Sequence, residues 1–123
     1  MDAYTAADFG RLMEAVFLTP DGLLDADARS LLTDVAPNCD ISRWRHCHGL
    51  GLYRHREGEG PVMHWRDGSL TGGTAFFAVS DDGQIAVWLA NSRTPDWIAV
   101  NDRIGQAVYR FFWQNAISQS MSH

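Results

Sequence analysis

Apolar residues recur along this chain with two different periods, and the period changes near its middle. Phe9, Leu12, Met13, Val16 and Phe17 fall at i, i+3, i+4, i+7 and i+8, which predicts one face of an amphipathic helix. Thr5 and Asp8 have the spacing of a capping box at its start, and Thr19-Pro20-Asp21-Gly22 stops it. A second helix is predicted from about Asp25, burying Ala28, Leu31, Leu32 and Val35 and ending before Pro37. Both read as scaffold. Strand-like runs then follow at residues 49–54, 62–66, 74–80 and 84–90. Asp81-Asp82-Gly83 joins the last two as a hairpin turn, since glycine adopts the positive φ such turns need. The helical period returns in Ile104, Ala107, Val108, Phe111 and Phe112, extended towards its start by Trp97 and Val100. Residues 118–123 are expected to fray.

The predicted architecture is α+β, a single domain over residues 1–123. An antiparallel sheet of about four strands is flanked by two N-terminal helices and one long C-terminal helix. The strands at 74–80 and 84–90 carry apolar residues on both alternating faces, so both faces should be covered.

Composition narrows the function classes. A chain of 123 residues that is 46% hydrophobic, with five Trp and six Phe, is a folded domain and not a disordered tail. A net charge of −5 argues against general binding to nucleic acid or anionic membranes. All ten basic residues are Arg, which excludes any mechanism that needs a lysine amine. No run approaches the length of a membrane span, and no signal peptide is visible. Cys39 and Cys47 do not make a disulfide framework in a chain of this length. These readings give a cytoplasmic location, or an exported one if the chain belongs to a larger precursor. No cofactor is implied.

Two stretches could carry chemistry. Arg45-His46-Cys47-His48 sets three potential metal ligands in a row, but adjacent residues of an extended chain face opposite ways. A zinc site would therefore need Cys39, His55 or His64 as well, and packed or exposed histidines are the commoner outcome. Trp44 reads as a packing anchor, with Arg43 and Arg45 solvated. The second stretch is Asp67-Gly68-Ser69-Leu70-Thr71-Gly72-Gly73, read as a glycine-rich corner where backbone N–H groups lie uncovered at a strand end.

The order of motifs resembles the C-terminal part of the serine β-lactamase and penicillin-binding-protein-like hydrolases, especially the class C and esterase branch. Gly49-Leu50-Gly51-Leu52-Tyr53 is similar to that branch's glycine-rich strand. Arg66-Asp67-Gly68, with Ser69 and Gly72 after it, is similar to its third active-site motif. Leu89-Ala90-Asn91 matches the end of its hairpin. The resemblance implies a partial site. The backbone N–H of Ser69 would be an oxyanion-hole donor, stabilising charge on an attacked carbonyl. Arg66 would be the motif's cation, and Arg66, Asp67, Gly68, Ser69 and Gly72 would line the substrate groove. Asp67 departs from the usual Thr or Ser, and an anion there disfavours a carboxylate substrate. The family's Ser-x-x-Lys nucleophile is absent, as no Lys occurs, and so is its Tyr-x-Asn motif. The expectation is a fragment, processed subunit or pseudoenzyme, inactive alone. Its partner would be an N-terminal segment carrying Ser-x-x-Lys, or a second copy as a homo-oligomer. The alternatives are an α+β interaction module that docks a partner through its sheet edge, and a small metal protein built on His46, Cys47 and His48.

Overall fold

The structure is a computed structural model that describes residues 5–19, 22–35, 38–70, 72–91 and 94–121. Pro20, Asp21, Pro37 and Thr71, used above as turns or breaks, lie outside the described residues. The fold is α+β: α1 (Ala6–Phe17), α2 (Ala26–Thr33), β1 (Cys47–His48), β2 (Tyr53–His55), β3 (Met63–Leu70), β4 (Gly73–Ser80), β5 (Ile85–Ala90) and α3 (Trp97–Met121). The five strands form one antiparallel meander in chain order, with β1 and β5 at its edges.

Local chemistry accounts for the first helix. The Thr5 hydroxyl accepts from the Asp8 N–H at 3.0 Å while the Asp8 carboxylate accepts from the Thr5 N–H, so two otherwise unpaired donors are satisfied. The stripe behind the cap lies against β5 except for Leu12, which is turned to solvent, and the Phe9 ring sits 5.5 Å from Phe77. Helix α2 starts from an Asp25 cap and is short, with Leu31 turned to solvent where burial was expected.

Residues of β3 and β4 that share a face follow from the register. Met63, Trp65, Asp67 and Ser69 lie on the same side as their partners Ser80, Ala78, Phe76 and Thr74. This side carries the core. Trp65 is stacked between Trp44 at 4.3 Å and Tyr53 at 4.5 Å, with Phe76 next at 5.6 Å. Helix α3 closes it with Tyr109 and Phe112, both almost fully buried. Each such side chain removed from water contributes on the order of 2–3 kcal/mol. Gly105 makes the approach possible, because a Cβ there would lie 2.4 Å from the Trp44 ring.

The observed α3 stripe is rotated from the predicted one. Phe111 and Ala107 face solvent, while Asn101, Gly105 and Tyr109 are buried. Tyr109 can go inside because its hydroxyl donates to the Pro61 carbonyl at 2.8 Å and accepts from the Glu57 N–H at 2.9 Å. The helix also continues through Met121, past the point where fraying was expected.

Two further differences concern the sheet. Residues 47–48 add a fifth strand against β2. Strand β3 runs on through Asp67, Gly68 and Ser69 to Leu70, all paired with β4. The chain reverses only after that, at Gly72, whose φ is 84°. Gly68 keeps an ordinary strand conformation, so the supposed corner is the second half of a long hairpin. The cysteines form one disulfide, Cys39–Cys47, with Cα atoms 5.3 Å apart. Among the described residues, no helix is long and apolar enough to cross a membrane.

Candidate functional site

A depression of about 470 Å³ lies at the end of the β3–β4 hairpin and continues to the end of β5. Gly68, Ser69, Gly72, Gly73, Leu89 and Asn91 contribute to its walls. Three of the residues expected to bind substrate, Gly68, Ser69 and Gly72, therefore come together, and the Asn91 that ends the hairpin motif joins them. Glycine and alanine at most lining positions expose backbone where side chains would otherwise stand. No ionisable side chain lines this groove among the described residues. Ser69 is half-buried and sits opposite Thr74 in the sheet ladder.

Arg66 and Asp67 are turned elsewhere. Asp67 faces the core side of the sheet, its side chain only 4% exposed, and its two oxygens receive Nη1 and Nη2 of Arg45 at 3.0 and 2.5 Å. Arg45 Nε donates to Asp102 at 2.6 Å, and the same Asp102 oxygen accepts from Trp44 Nε1 at 2.8 Å. Asn101 Nδ2 adds a 3.3 Å contact to Asp67. The Arg45 guanidinium also lies 4.9 Å from the Trp65 ring centre, in cation–π range. Burial opposes the Arg45 charge, but the hydrogen bonds to Asp67 and Asp102 outweigh it, and its pKa moves up. The residue expected to be solvated is thus the hub that links the 39–47 loop, β3 and the start of α3.

Arg66 is exposed, with Nη1 at 2.7 Å from His48 Nε2 and its guanidinium 5.8 Å from the Tyr53 ring. It stands beside β2, whereas the groove opens towards β5. The other histidines have separate partners. His46 Nδ1 accepts from the Asp40 N–H at 2.7 Å. His55 is buried between Trp44 and Tyr109, with Nε2 at 2.9 Å from Glu57. His64 accepts from Arg54 Nε at 3.1 Å, and burial first, then the Arg54 charge, lowers its pKa to about 4. With Cys39 and Cys47 bonded to each other, neither thiol is available as a ligand. No three His, Cys, Asp or Glu side chains converge as they would around a metal among the described residues.

Chemically, the described lining residues offer a backbone-rich surface with two hydroxyls, Ser69 and Thr74, and no ionisable side chain among them. That composition can hold an acyl group or a neutral chain. Sequence reasoning missed Arg45, Asn101 and Asp102, whose contacts span 22 to 58 positions and leave no local periodic signal. Comparison of the chain with protein families, with curated proteins and with solved structures gives no match.

Proposed function

We propose that the chain is the C-terminal portion of a serine β-lactamase-like hydrolase, supplying the third-motif strand and an acyl-binding groove but no nucleophile. The observation that carries the reading is the convergence of Gly68, Ser69, Gly72 and Asn91 on one depression at the end of β3–β5. The motif order and the helix–sheet–helix arrangement support it by analogy. In the complete site, a serine activated elsewhere would attack an ester, amide or β-lactam carbonyl, and the groove would hold the acyl group. The Cys39–Cys47 disulfide favours an oxidising compartment, and therefore export, over the cytoplasm.

The test is direct. The isolated chain should hydrolyse activated esters and β-lactams no faster than buffer, and fluorophosphonate should not label it. Stoichiometric labelling of one serine, with Ser69 the first to examine, overturns the assignment of an incompetent site.

A second reading has its own observation. Strand β5 pairs only with β4 among the described residues, and its sequence from Ile85 to Ala90 carries no charge or Pro. Such edges recruit further strands. An interaction module would use this edge to pair with another chain or with a second copy. Sedimentation at about 100 μM, within the range where exposed edges associate, together with hydrogen exchange on residues 85–90, decides it. A monomer with fast-exchanging β5 amides excludes self-pairing.

A further inference from the structure

The disulfide is built asymmetrically. Cys47 is 0% exposed, paired with Arg54 in the edge of the sheet, whereas Cys39 is partly exposed on the loop before it. Between them lie Trp44 and Arg45, the two residues that bind Asp102, and through Arg45 the buried Asp67. The bond thus closes a short loop whose contents fasten α3 to β3.

We propose that Cys39 is a thiol-exchange site, at which a thiolate from a small thiol or from a disulfide-exchange catalyst opens this bond. The attacking thiolate must approach one sulfur along the S–S axis, so access selects which sulfur is attacked. Burial closes Cys47 and leaves Cys39. A bond forms between the incoming sulfur and Cys39 Sγ, the Cys39–Cys47 bond breaks, and its electron pair leaves on Cys47 Sγ. That thiolate takes a proton from solvent. A second equivalent of thiol, attacking the incoming sulfur of the mixed disulfide, releases the small-molecule disulfide and leaves Cys39 reduced. The net change is a two-electron reduction of the protein by two thiols.

Exchange at this position does not require the rest of the chain to unfold. Strands β2–β5 and α3 pack through Trp65, Phe76, Tyr109 and Phe112, none of which lies in the loop. What loosens is the Trp44–Trp65 stack and the Arg45 clamp. The disulfide is therefore a covalent control on how firmly the 39–47 loop holds α3.

The experiment treats the purified oxidised chain with reduced glutathione under native conditions, quenches with acid and maps adducts by mass spectrometry. The mixed disulfide should sit on Cys39 in at least about ten-fold excess over Cys47, as access dictates. Near-UV circular dichroism should change while the far-UV spectrum is retained. Single variants give an independent reading. Cys39 in C47S should react with iodoacetamide at least about ten-fold faster than Cys47 in C39S, because only the exposed thiol is reachable. Adducts on Cys47, or reduction no faster than global unfolding under the same conditions, would overturn the proposal. A catalyst arm with a thioredoxin-type protein separates the two thiol sources: acceleration over glutathione at equal thiol identifies a protein thiolate as the preferred one, and equal rates identify the small thiol.

Discussion

Replacing Arg45 by Met removes the cation from a carboxylate with little access to water. The Asp67 side chain is 4% exposed and holds two of Arg45's hydrogen bonds; among the described residues, the long Asn101 contact remains when Arg45 is gone. Breaking a buried pair from one side costs about 3–5 kcal/mol, because the stranded charge keeps its desolvation penalty. The Asp102 arm is more exposed, at 29%, and adds at most about 1 kcal/mol. The cation–π contact with Trp65 adds about 0.5–1 kcal/mol, partly offset by Met packing in its place. The expected loss is about 4 kcal/mol, a large share of the 5–15 kcal/mol that holds a typical domain. Urea unfolding at neutral pH, followed by the fluorescence of the stacked tryptophans, measures it. The double variant Arg45→Met with Asp67→Asn should recover roughly half of the loss, since an amide carries no charge to strand. D67N alone should cost less than R45M, because Arg45 keeps Asp102 and its access to solvent. A loss below about 1 kcal/mol for R45M, or no recovery in the double variant, would refute the claim that Asp67 is held by Arg45 in a buried ion pair.

Removing the disulfide with C39S/C47S should destabilise the chain by about 2.5 kcal/mol, the loop-closure value for a separation of 8 residues, read as a lower urea midpoint than that of the oxidised chain. Acid should weaken the fold through His64. Its folded pKa, about 4, lies below its ordinary 6.5, so the unfolded chain binds the extra proton first and stability falls as pH drops from about 6.5 towards 4. The full shift corresponds to about 3 kcal/mol, and H64F should flatten that part of the pH profile; an unchanged slope between pH 6.5 and 4 contradicts the assignment. Gly105→Ala should cost about 1–3 kcal/mol by forcing its Cβ against Trp44, with a lowered thermal midpoint as the readout and a neutral result showing that α3 does not approach so closely.

Features decided within a few residues were legible in the sequence. The Thr5–Asp8 cap and the stripe behind it depend on contacts three and four apart, and the Asp82-Gly83 turn depends on one positive φ of 91° at Gly83. The length of β3 was not legible. A glycine in sequence looks the same whether it turns the chain or continues a strand, and Gly68 is held in the strand by pairing with Ala75. The phase of α3 failed for a related reason. Phe111 is the more apolar residue, but Tyr109 finds two backbone partners for its hydroxyl, and that pairing sets which side faces the sheet. The cysteines meet because residues 40–46 fold back through successive turns, Arg43 N–H to the Asp40 carbonyl and His46 N–H to the Arg43 carbonyl, which no periodicity announces. Of the candidate site, Gly68, Ser69 and Gly72 line one depression, while the orientation of Asp67 depends on Arg45, 22 positions away.

That orientation changes what the groove would accept under the proposed function. On the sequence alone, Asp67 in the middle of Arg66-Asp67-Gly68 places an anion in the substrate's path and disfavours a carboxylate. In the fold its charge points into the core and is met by Arg45, so it contributes little field to a groove on the β5 side. Arg66, the motif's cation, is engaged with His48 beside β2 and does not line the groove either. Neither repulsion nor attraction by these two charges then governs recognition. Among the described lining residues there are backbone groups and no ionisable side chain, and these suit a neutral acyl or ester group over an ionised one. Ligand-observed NMR on the isolated chain compares a neutral N-acyl amino-acid methyl ester with its free acid. Broadening for the ester and none for the acid is the expected result. Stronger binding of the acid, abolished by Arg66→Ala, would mean that Arg66 leaves His48 to clamp a carboxylate, and the groove would then be charged in use although neutral in its lining.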